Sequence, residues 1–289
     1  SGQAGARAVL NVLPGKVNPS GKLAETYPIS YTDVPNIKYF PGLYNTAEYR
    51  EAIYIGYRYY DRNGVTVRFP FGYGLSYTTF EYSNIKVTDD GVTFKIKNTG
   101  SIYGKEIAQL YIGLRNSEIF RASKELKGFA KIGLEPGEER EVEIKFDDYS
   151  FRYFNVKTNK FEIETGDYDI YVGASLLDIK LTGQIHKEGT TDILPYEKET
   201  LSSYYSGIVT DVSDEEFRAL LGHDIPDPSF KFYKKNRMRV DYNTTMNQLK
   251  YAPGWTGRFM AWAIKAVIKL LKVFGKEDQA NTLTMGYLH

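Results

Sequence analysis

Apolar and polar side chains alternate along the middle of the chain, between residues 78 and 188. In the clearest run, Ala108, Leu110 and Ile112 fall on one face of a predicted strand and are expected to point inward. Turn sequences such as Asn98-Thr-Gly100 and Glu135-Pro-Gly-Glu138 separate the runs, because Gly supplies positive φ and Pro presets φ. The predicted strands are Phe80–Val87, Val92–Lys97, Gly104–Leu114, Ser123–Ile132, Arg140–Phe146, Arg152–Asn155 and Asp167–Ala174. This pattern is typical of a fibronectin III-like or immunoglobulin-like β-sandwich.

Residues 1–77 are predicted to form short α and β elements. A helix is predicted over Ala4–Leu13, an edge strand over Lys22–Tyr27 and a strongly β-prone strand over Ala52–Tyr60. A segment this short and turn-rich cannot bury a core of its own. We therefore expect it to belong to a larger α/β layer, cut from the middle of a longer protein, and to expose apolar surface.

Residues 189–289 are predicted to form a mostly helical extension. Ser213-Asp-Glu-Glu216 is a capping box that begins a helix ended by Gly222, and Asp224–Asn236 is Pro-punctuated, basic and expected to be extended. The last helix is predicted over Thr256–Phe274 and ends at Gly275. The predicted fold class is therefore mixed: a piece of an α/β sandwich domain, an all-β fibronectin III-like sandwich and a helical extension.

The predicted last helix has an unusual distribution of charge. Its basic residues line one face, whereas almost all other positions are apolar; the basic residues are Arg258, Lys265, Lys269, Lys272 and Lys276. One interpretation is a helix that lies on a membrane surface. The favoured interpretation is a helix that docks on its own protein or on a second copy in a homo-oligomer, with the lysines in solvent. Docking predicts that Trp262, Val267 and Leu271 are largely buried.

Charge and composition exclude several classes of site. Lys plus Arg (37) nearly balances Asp plus Glu (36), so nucleic acid is not an expected partner. The chain has no Cys, and its three His residues, His186, His223 and His289, do not have the spacing of metal ligands. Neither a metal nor a cofactor is expected. No apolar run approaches the roughly 20 residues that a membrane-spanning helix needs.

Several blocks of residues, in order, resemble glycoside hydrolase family 3 of the β-glucosidase type. Residues 1–77 are similar to the end of its second catalytic domain, an α/β sandwich, and residues 78–188 are similar to its fibronectin III-like domain. The first group of blocks comprises Gly2-Gln-Ala-Gly5, Asn18–Leu23 with Thr26-Tyr-Pro28, Ile53–Asp61 and Phe69–Phe80. The second comprises Val92–Gly104, Ala108–Tyr111 and Lys124–Phe129.

The resemblance implies a retaining glycosidase that releases terminal sugars, in the first place β-D-glucose from β-glucosides. Such enzymes use a carboxylate nucleophile and a second carboxylate as general acid and base. In the family these residues lie on the (β/α)8 barrel and upstream in the α/β sandwich, and no block here matches either motif. The resemblance therefore assigns no catalytic residue to this chain, and substrate-binding residues stay unassigned.

The expected partners are the remainder of the same enzyme, as further sequence or as a separate chain, and a β-glucoside or oligosaccharide substrate. On this interpretation the chain supplies scaffold and part of the second catalytic domain. The alternative is a non-catalytic carbohydrate-binding or structural module built on the same fibronectin III-like fold. The fold cannot decide between the two.

Two features in residues 51–74 admit both a functional and a structural interpretation, and two others have a structural one. Glu51 and Arg58 are either an active-site carboxylate with its cation or, as favoured, an ion pair that supports the Gly72–Gly74 loop. Tyr57, Tyr59 and Tyr60 either line a sugar subsite or, as favoured, belong to a half-buried sheet. Asp61 is expected to cap the turn at Arg62-Asn-Gly64. Gly72-x-Gly74 lacks the third Gly and the helix of a phosphate-binding loop.

Overall fold

The computed structural model describes residues 2–42, 46–226, 245–246, 248–252 and 254–288. The chain divides into two compact units. The large unit comprises Ser1–Phe40 and Glu48–Ile225, and the C-terminal unit comprises Pro41–Ala47 and Pro226–His289. The predicted helical extension, 189–289, therefore contributes to both units.

The first segment of the large unit contains two helices and one short sheet. The helices are α1 (Gly5–Val12) and α2 (Tyr57–Arg62), and β1 (Tyr27–Pro28) pairs with β2 (Val67–Phe69). The helix predicted over Ala4–Leu13 is confirmed. It buries none of its residues, so its apolar side chains are exposed, as the sequence predicted for this segment.

The strand predicted over Ala52–Tyr60 is wrong, because this run bends at Gly56 and continues as helix α2. Gly56 has φ 54° and ψ −130°, a backbone conformation that side chains with a Cβ rarely adopt. The three tyrosines that follow it are buried, as expected, but on a helix and not in a sheet.

Residues 80–187 form the predicted β-sandwich. Its two antiparallel sheets have the strand orders β3-β4-β7 and β11-β10-β5-β6, and β8 and β9 form a separate hairpin. The strands are β3 (Phe80–Val87), β4 (Gly91–Asn98), β5 (Gly104–Leu114), β6 (Glu125–Leu134), β7 (Glu139–Lys145), β8 (Arg152–Asn155), β9 (Lys160–Ile163), β10 (Gly166–Gly173) and β11 (Ile179–Lys187). Strands β9 and β11 were not predicted from the sequence.

Strand β5 lies in the centre of the sandwich and is buried on both faces. Ala108, Leu110 and Ile112 point into the hydrophobic core, which confirms the predicted register. Gln109 and Tyr111 on the opposite face are also buried, because the first segment covers them. The Gln109 amide donates to the carbonyls of Gly72 (3.0 Å) and Ala174 (2.8 Å), and the Tyr111 hydroxyl donates to Gln109 Oε1 (2.6 Å).

Residue size is restricted where the first segment lies against the sandwich. A Cβ at Gly72 would be 1.9 Å from Gln109 Oε1, and a Cβ at Gly74 would be 2.5 Å from the carbonyl oxygen of Gly21. Both distances are far below van der Waals contact. Gly72 is therefore explained by close packing of the first segment on the sandwich and Gly74 by close packing within the first segment, with no need for a bound phosphate.

Two largely buried ion pairs join the first segment to the sandwich. Lys22 Nζ lies 2.8 Å from Glu106 Oε1, and Lys124 Nζ lies 2.7 Å from Asp61 Oδ1. The expected role of the Asp61 side chain as a turn cap is therefore wrong. Its carboxylate reaches a lysine that is distant in sequence, and the backbone carbonyl of Asp61 accepts the amide of Gly64.

The remainder of the large unit packs on helix α2. Helices α3 (Ser202–Ser206) and α4 (Asp214–Leu221) contribute to an aromatic cluster with Tyr54, whose hydroxyl donates to the carbonyl of Tyr204 at 2.6 Å. Half of the predicted capping box forms, since Ser213 Oγ accepts the amide of Glu216. The Glu216 carboxylate instead accepts two hydrogen bonds from Ser203.

The C-terminal unit contains a short 3₁₀ helix (Gln248–Tyr251) and helices α5 (Trp255–Val273) and α6 (Glu277–Leu288). Helix α5 agrees with the predicted last helix within one residue at each end, and Gly275 follows it with φ 71°. Trp262 and Val267 are exposed and Leu271 is half-buried, which differs from the burial that the docking interpretation predicted. The predicted extended strap, Asp224–Asn236, lies outside the described residues from position 227 onward.

We expect the Leu110→Ala substitution to destabilise the large unit by about 2–5 kcal/mol, because Leu110 is fully buried and truncation leaves a cavity in the core. The measurement is the free energy of unfolding from urea titration. Leu177→Ala is the matched control, since Leu177 is exposed and its truncation should change stability by less than about 0.5 kcal/mol. Equal effects of the two substitutions would contradict the assigned core.

We also expect Lys124→Ala to destabilise the protein by about 3–5 kcal/mol, since it leaves the buried Asp61 carboxylate without its cation. Lys157→Ala removes the exposed ion pair with Glu197 and should cost less than about 1 kcal/mol. Chemical denaturation of both variants compares the two effects. A negligible effect of Lys124→Ala would show that this pair does not hold the first segment on the sandwich.

Candidate functional site

The carboxylate singled out in the sequence, Glu51, faces a cavity of about 530 Å³ in the large unit. The cavity lies between helix α2 and the turns that precede it in the first segment. Its lining residues are Ala24, Glu25, Thr26, Pro28, Val34, Pro35, Asn36, Glu51, Ile55, Gly56, Tyr57, Arg58, Tyr60 and Phe71. We call this space the Glu51 cavity.

Three buried acceptor atoms of the Glu51 cavity have no hydrogen-bond partner among the described residues. They are Thr26 Oγ1, Asn36 Oδ1 and Glu51 Oε2. Buried polar groups are hydrogen-bonded in the great majority of native structures, so three unpartnered acceptors in one cavity are unusual. Burial also raises the pKa of the Glu51 carboxyl above its usual range. The cavity therefore has the character of a site that receives hydrogen-bond donors.

Arg58 lines the same cavity but does not form the expected ion pair with Glu51. Its Nε lies 3.0 Å from Oε1 of Glu125 on strand β6. Burial opposes ionisation of Glu125, but the cations Lys127 and Arg58 outweigh it and hold the pKa of that carboxyl below its usual range. The Gly72–Gly74 loop is instead supported by the backbone of Leu23, which accepts from Gly72 and donates to Tyr73, both at 2.8 Å.

Glu25 is the second carboxylate on the lining of the Glu51 cavity. It is exposed, and its hydrogen bond with the Tyr27 hydroxyl raises the pKa of that tyrosine. The described lining thus holds one buried acid and one solvated acid. Retaining glycosidases instead place two carboxylates on either side of the bond that is cleaved, about 5–5.5 Å apart. The environment of Glu51 does not identify it as half of such a pair.

Tyr57 and Tyr60 contribute to the wall of the Glu51 cavity, whereas Tyr59 does not line it. Tyr57 is held from two sides, because its hydroxyl accepts the amide of Leu126 at 3.0 Å and its ring packs 4.6 Å from that of Phe71. Tyr57 is therefore part of the packing between the first segment and the sandwich, and Tyr60 is part of the aromatic cluster that contains Tyr54. They are not free rings on which a sugar could stack.

A second cavity of about 530 Å³ lies beside the β8–β9 hairpin. Its exposed rings pack edge to face, Tyr149 with Phe161 at 5.1 Å and Phe154 with Phe161 at 5.3 Å. Each ring therefore covers part of its neighbour. The three rings do not form one flat surface on which a sugar could stack, so they do not favour the carbohydrate-binding alternative. The described residues contain no cluster of side chains that could hold a metal ion.

Sequence reasoning found Glu51 and Arg58 but missed Thr26 and Asn36. No local pattern distinguishes a threonine or asparagine whose side chain becomes enclosed without a partner. These two residues enter the site only because the chain folds four separate stretches of the first segment around one space.

Two family models match the chain in the order predicted from the sequence. Residues 1–77 match the glycosyl hydrolase family 3 C-terminal domain, and residues 106–176 match the fibronectin type III-like domain. These matches cover the first segment with the Glu51 cavity and most of the sandwich.

Similar proteins include the thermostable β-glucosidase B of Acetivibrio thermocellus, which is 42% identical over 220 residues, 73% of this chain and 29% of that protein. An exo-α-(1→6)-L-arabinopyranosidase of Bifidobacterium breve is 39% identical over 65% of this chain and 26% of its own length. The crystal structure of a Bifidobacterium adolescentis GH3 β-glucosidase matches with a TM-score of 0.63 and 29% identity, over 90% of this chain and 32% of that one.

The chain thus spans less than a third of the length of each of these relatives. Within that span the two matched domains follow one another along the chain. The chain belongs to glycoside hydrolase family 3, of which it carries the C-terminal domain and the fibronectin type III-like domain.

Proposed function

We propose that this chain is the non-catalytic part of a retaining glycoside hydrolase that releases terminal sugars, in the first place β-D-glucose from β-glucosides. The observation that carries the proposal is the 42% identity with a β-glucosidase across both matched domains. The arabinopyranosidase relative shows that neighbouring members differ in their sugar. The chain supplies the scaffold, and the sugar-selecting pocket is formed with the rest of the enzyme.

Two features of the first segment support a large contact with the remainder of such an enzyme. Helix α1 exposes Val9, Leu10 and Leu13, which are 54%, 67% and 70% accessible to solvent. Contiguous apolar surface of this kind marks a protein–protein contact. The three unpartnered acceptors of the Glu51 cavity need donors, and a neighbouring polypeptide can supply them. The proposed partner is the (β/α)8 barrel together with the rest of the α/β sandwich.

A chimera tests the proposed function directly. The region of the Acetivibrio thermocellus β-glucosidase that matches this chain is replaced by the corresponding residues of this chain. We expect the chimera to hydrolyse p-nitrophenyl β-glucoside within about tenfold of the parent, because the catalytic carboxylates stay in the parent part. This chain alone should show no turnover above background, since it holds no carboxylate pair.

The control is the parent enzyme truncated at the same junction, which should be inactive. A folded chimera without activity would contradict the scaffold role. Steady turnover by this chain, purified free of other polypeptides, would contradict the assignment of catalysis to the other part.

We expect Glu51→Gln to stabilise the chain at neutral pH by about 1 kcal/mol, because it removes a buried charge that lacks a partner. The raised pKa of Glu51 sets the sign of the pH dependence. The contribution of Glu51 to stability is fully present below its unfolded pKa and is lost as the pH rises through its folded pKa. The advantage of Glu51→Gln should therefore grow from acid to neutral pH in urea titrations.

Glu25→Gln provides the control, since Glu25 lines the same cavity but is exposed, and its effect should stay below about 0.5 kcal/mol. In the chimera Glu51→Gln should instead destabilise the protein. There the rest of the enzyme supplies hydrogen-bond donors to Glu51, and a carboxylate accepts stronger hydrogen bonds than an amide. A chimera that gains as much stability from Glu51→Gln as the isolated chain would show that no donor reaches this cavity.

A further inference from the structure

Helix α5 of the C-terminal unit packs within its own unit through its smallest residues. Gly257 and Ala261 are its buried residues. A Cβ at Gly257 would lie 2.9 Å from both Ala252 Cβ and the carbonyl oxygen of Leu249, so the helix approaches the preceding 3₁₀ turn closely. On the same side of the helix Ile264, Ile268 and Leu271 are half-buried, and the larger side chains on the other side of α5 do not take part in this packing.

Most of the large apolar side chains of α5 are exposed to solvent. The exposed ones are Trp255, Phe259, Met260, Trp262, Val267, Leu270 and Val273, and Phe274 follows them. At about 100° per residue these positions cover an arc of roughly 160° that contains no charged residue. Trp255, Phe259 and Trp262 form a continuous aromatic row, with ring centroids 6.1 Å and 5.9 Å apart. We call this surface the aromatic face of α5.

A basic stripe separates the aromatic face from the buried side of α5. Arg258, Lys265, Lys269 and Lys272 are exposed and fall within roughly 60° of one another around the helix. The sequence has no Asp or Glu from residue 242 to residue 276. The charge carried by α5 itself is therefore of one sign.

From this juxtaposition we infer that α5 binds an anionic lipid surface, with its axis in the membrane plane. The aromatic face enters the boundary between headgroups and acyl chains, and the lysine stems follow the apolar surface so that their ammonium groups reach the lipid phosphates. Tryptophan is the side chain best suited to this boundary. None of the helices among the described residues has the length and apolar character that crossing a membrane requires, so α5 lies on the surface.

Charge favours lipid over a second copy of this chain as the occupant. Pairing two α5 helices through their aromatic faces would bring together two helices that each carry four exposed basic residues, and neither helix carries an acidic residue to neutralise them. Bringing these like charges together is electrostatically unfavourable. An anionic lipid surface does both: its phosphates neutralise the basic stripe, and the boundary with its acyl chains buries the apolar side chains.

The chain provides its own probe for this contact. It contains two tryptophans, Trp255 and Trp262, and both lie on the aromatic face with 74% and 65% of their surface exposed. Their fluorescence therefore reports on this surface alone. The whole chain is titrated with vesicles of phosphatidylcholine, with or without phosphatidylserine, and binding is measured in parallel by co-sedimentation.

We expect a blue shift of tryptophan emission and co-sedimentation with the phosphatidylserine vesicles, and quenching by lipids brominated on the acyl chain. Binding should weaken as salt is raised toward about 1 M, where the Debye length is about 3 Å. Absence of a shift with these vesicles would overturn the inference. A blue-shifted emission in buffer that depends on protein concentration would overturn it in favour of a second copy as the occupant.

Two pairs of variants separate the charge from the aromatic contribution. Lys269→Gln with Lys272→Gln should weaken binding at least about tenfold, since each basic residue near an anionic surface contributes about fivefold. Lys145→Gln with Lys160→Gln alters two exposed lysines of the large unit and should leave binding unchanged. Phe259→Ser should weaken binding strongly, whereas Phe129→Ser, at an exposed phenylalanine of the sandwich, should not.

All four variants change exposed positions, so circular dichroism should confirm that each stays folded. Equal loss of binding in the test and control variants would show that the whole surface binds lipid without specificity, which also overturns the inference. These measurements do not involve glycosidase activity and stand independently of the proposed function.

Discussion

The buried amide of Gln109 joins the first segment to the sandwich, because one of its hydrogen bonds crosses to the carbonyl of Gly72 on the face of the sheet where the first segment packs. Its amide donates to Gly72 and Ala174, and its carbonyl oxygen accepts the Tyr111 hydroxyl. Burying a side-chain amide costs little free energy when its hydrogen bonds are made, whereas a buried amide without partners would strongly destabilise the fold. The first segment has no core of its own, so its short helices and turns depend on this face of β5.

Local patterns in the sequence predicted the elements whose stability is local. Alternation located β5 because Ala108, Leu110 and Ile112 on its inward face are all apolar, and helix α5 was found through its amphipathic pattern and the glycine that ends it, Gly275. Strand β11 was missed although Ile179, Leu181 and Ile185 alternate, because Gly183 interrupts the run. The structure shows why a glycine is present there: a Cβ would lie 2.7 Å from Val87 Cγ2 on strand β3. Packing against another strand is not visible in a local pattern.

The site was less predictable than the fold, because its chemistry depends on partners distant in sequence. Arg58 and Asp61 were expected to act within their own segment, yet they pair with Glu125 and Lys124 of the sandwich. Once these partners are taken, Glu51 is left alone in its cavity. A sequence shows which residues carry charge. Which of them remain unpaired after folding follows only from the distances that the fold creates.

The exposed apolar surfaces of helices α1 and α5 require different partners because their polar surroundings differ. In the first segment, exposed apolar side chains of α1 accompany buried acceptors that lack donors, a combination that another polypeptide satisfies with amide and side-chain N–H groups. On α5 the apolar arc is bordered by cations alone, which backbone carbonyls satisfy poorly and phosphates satisfy well. An exposed apolar area indicates that a surface binds a partner. The polar groups at its edge determine whether that partner is a polypeptide or a lipid surface.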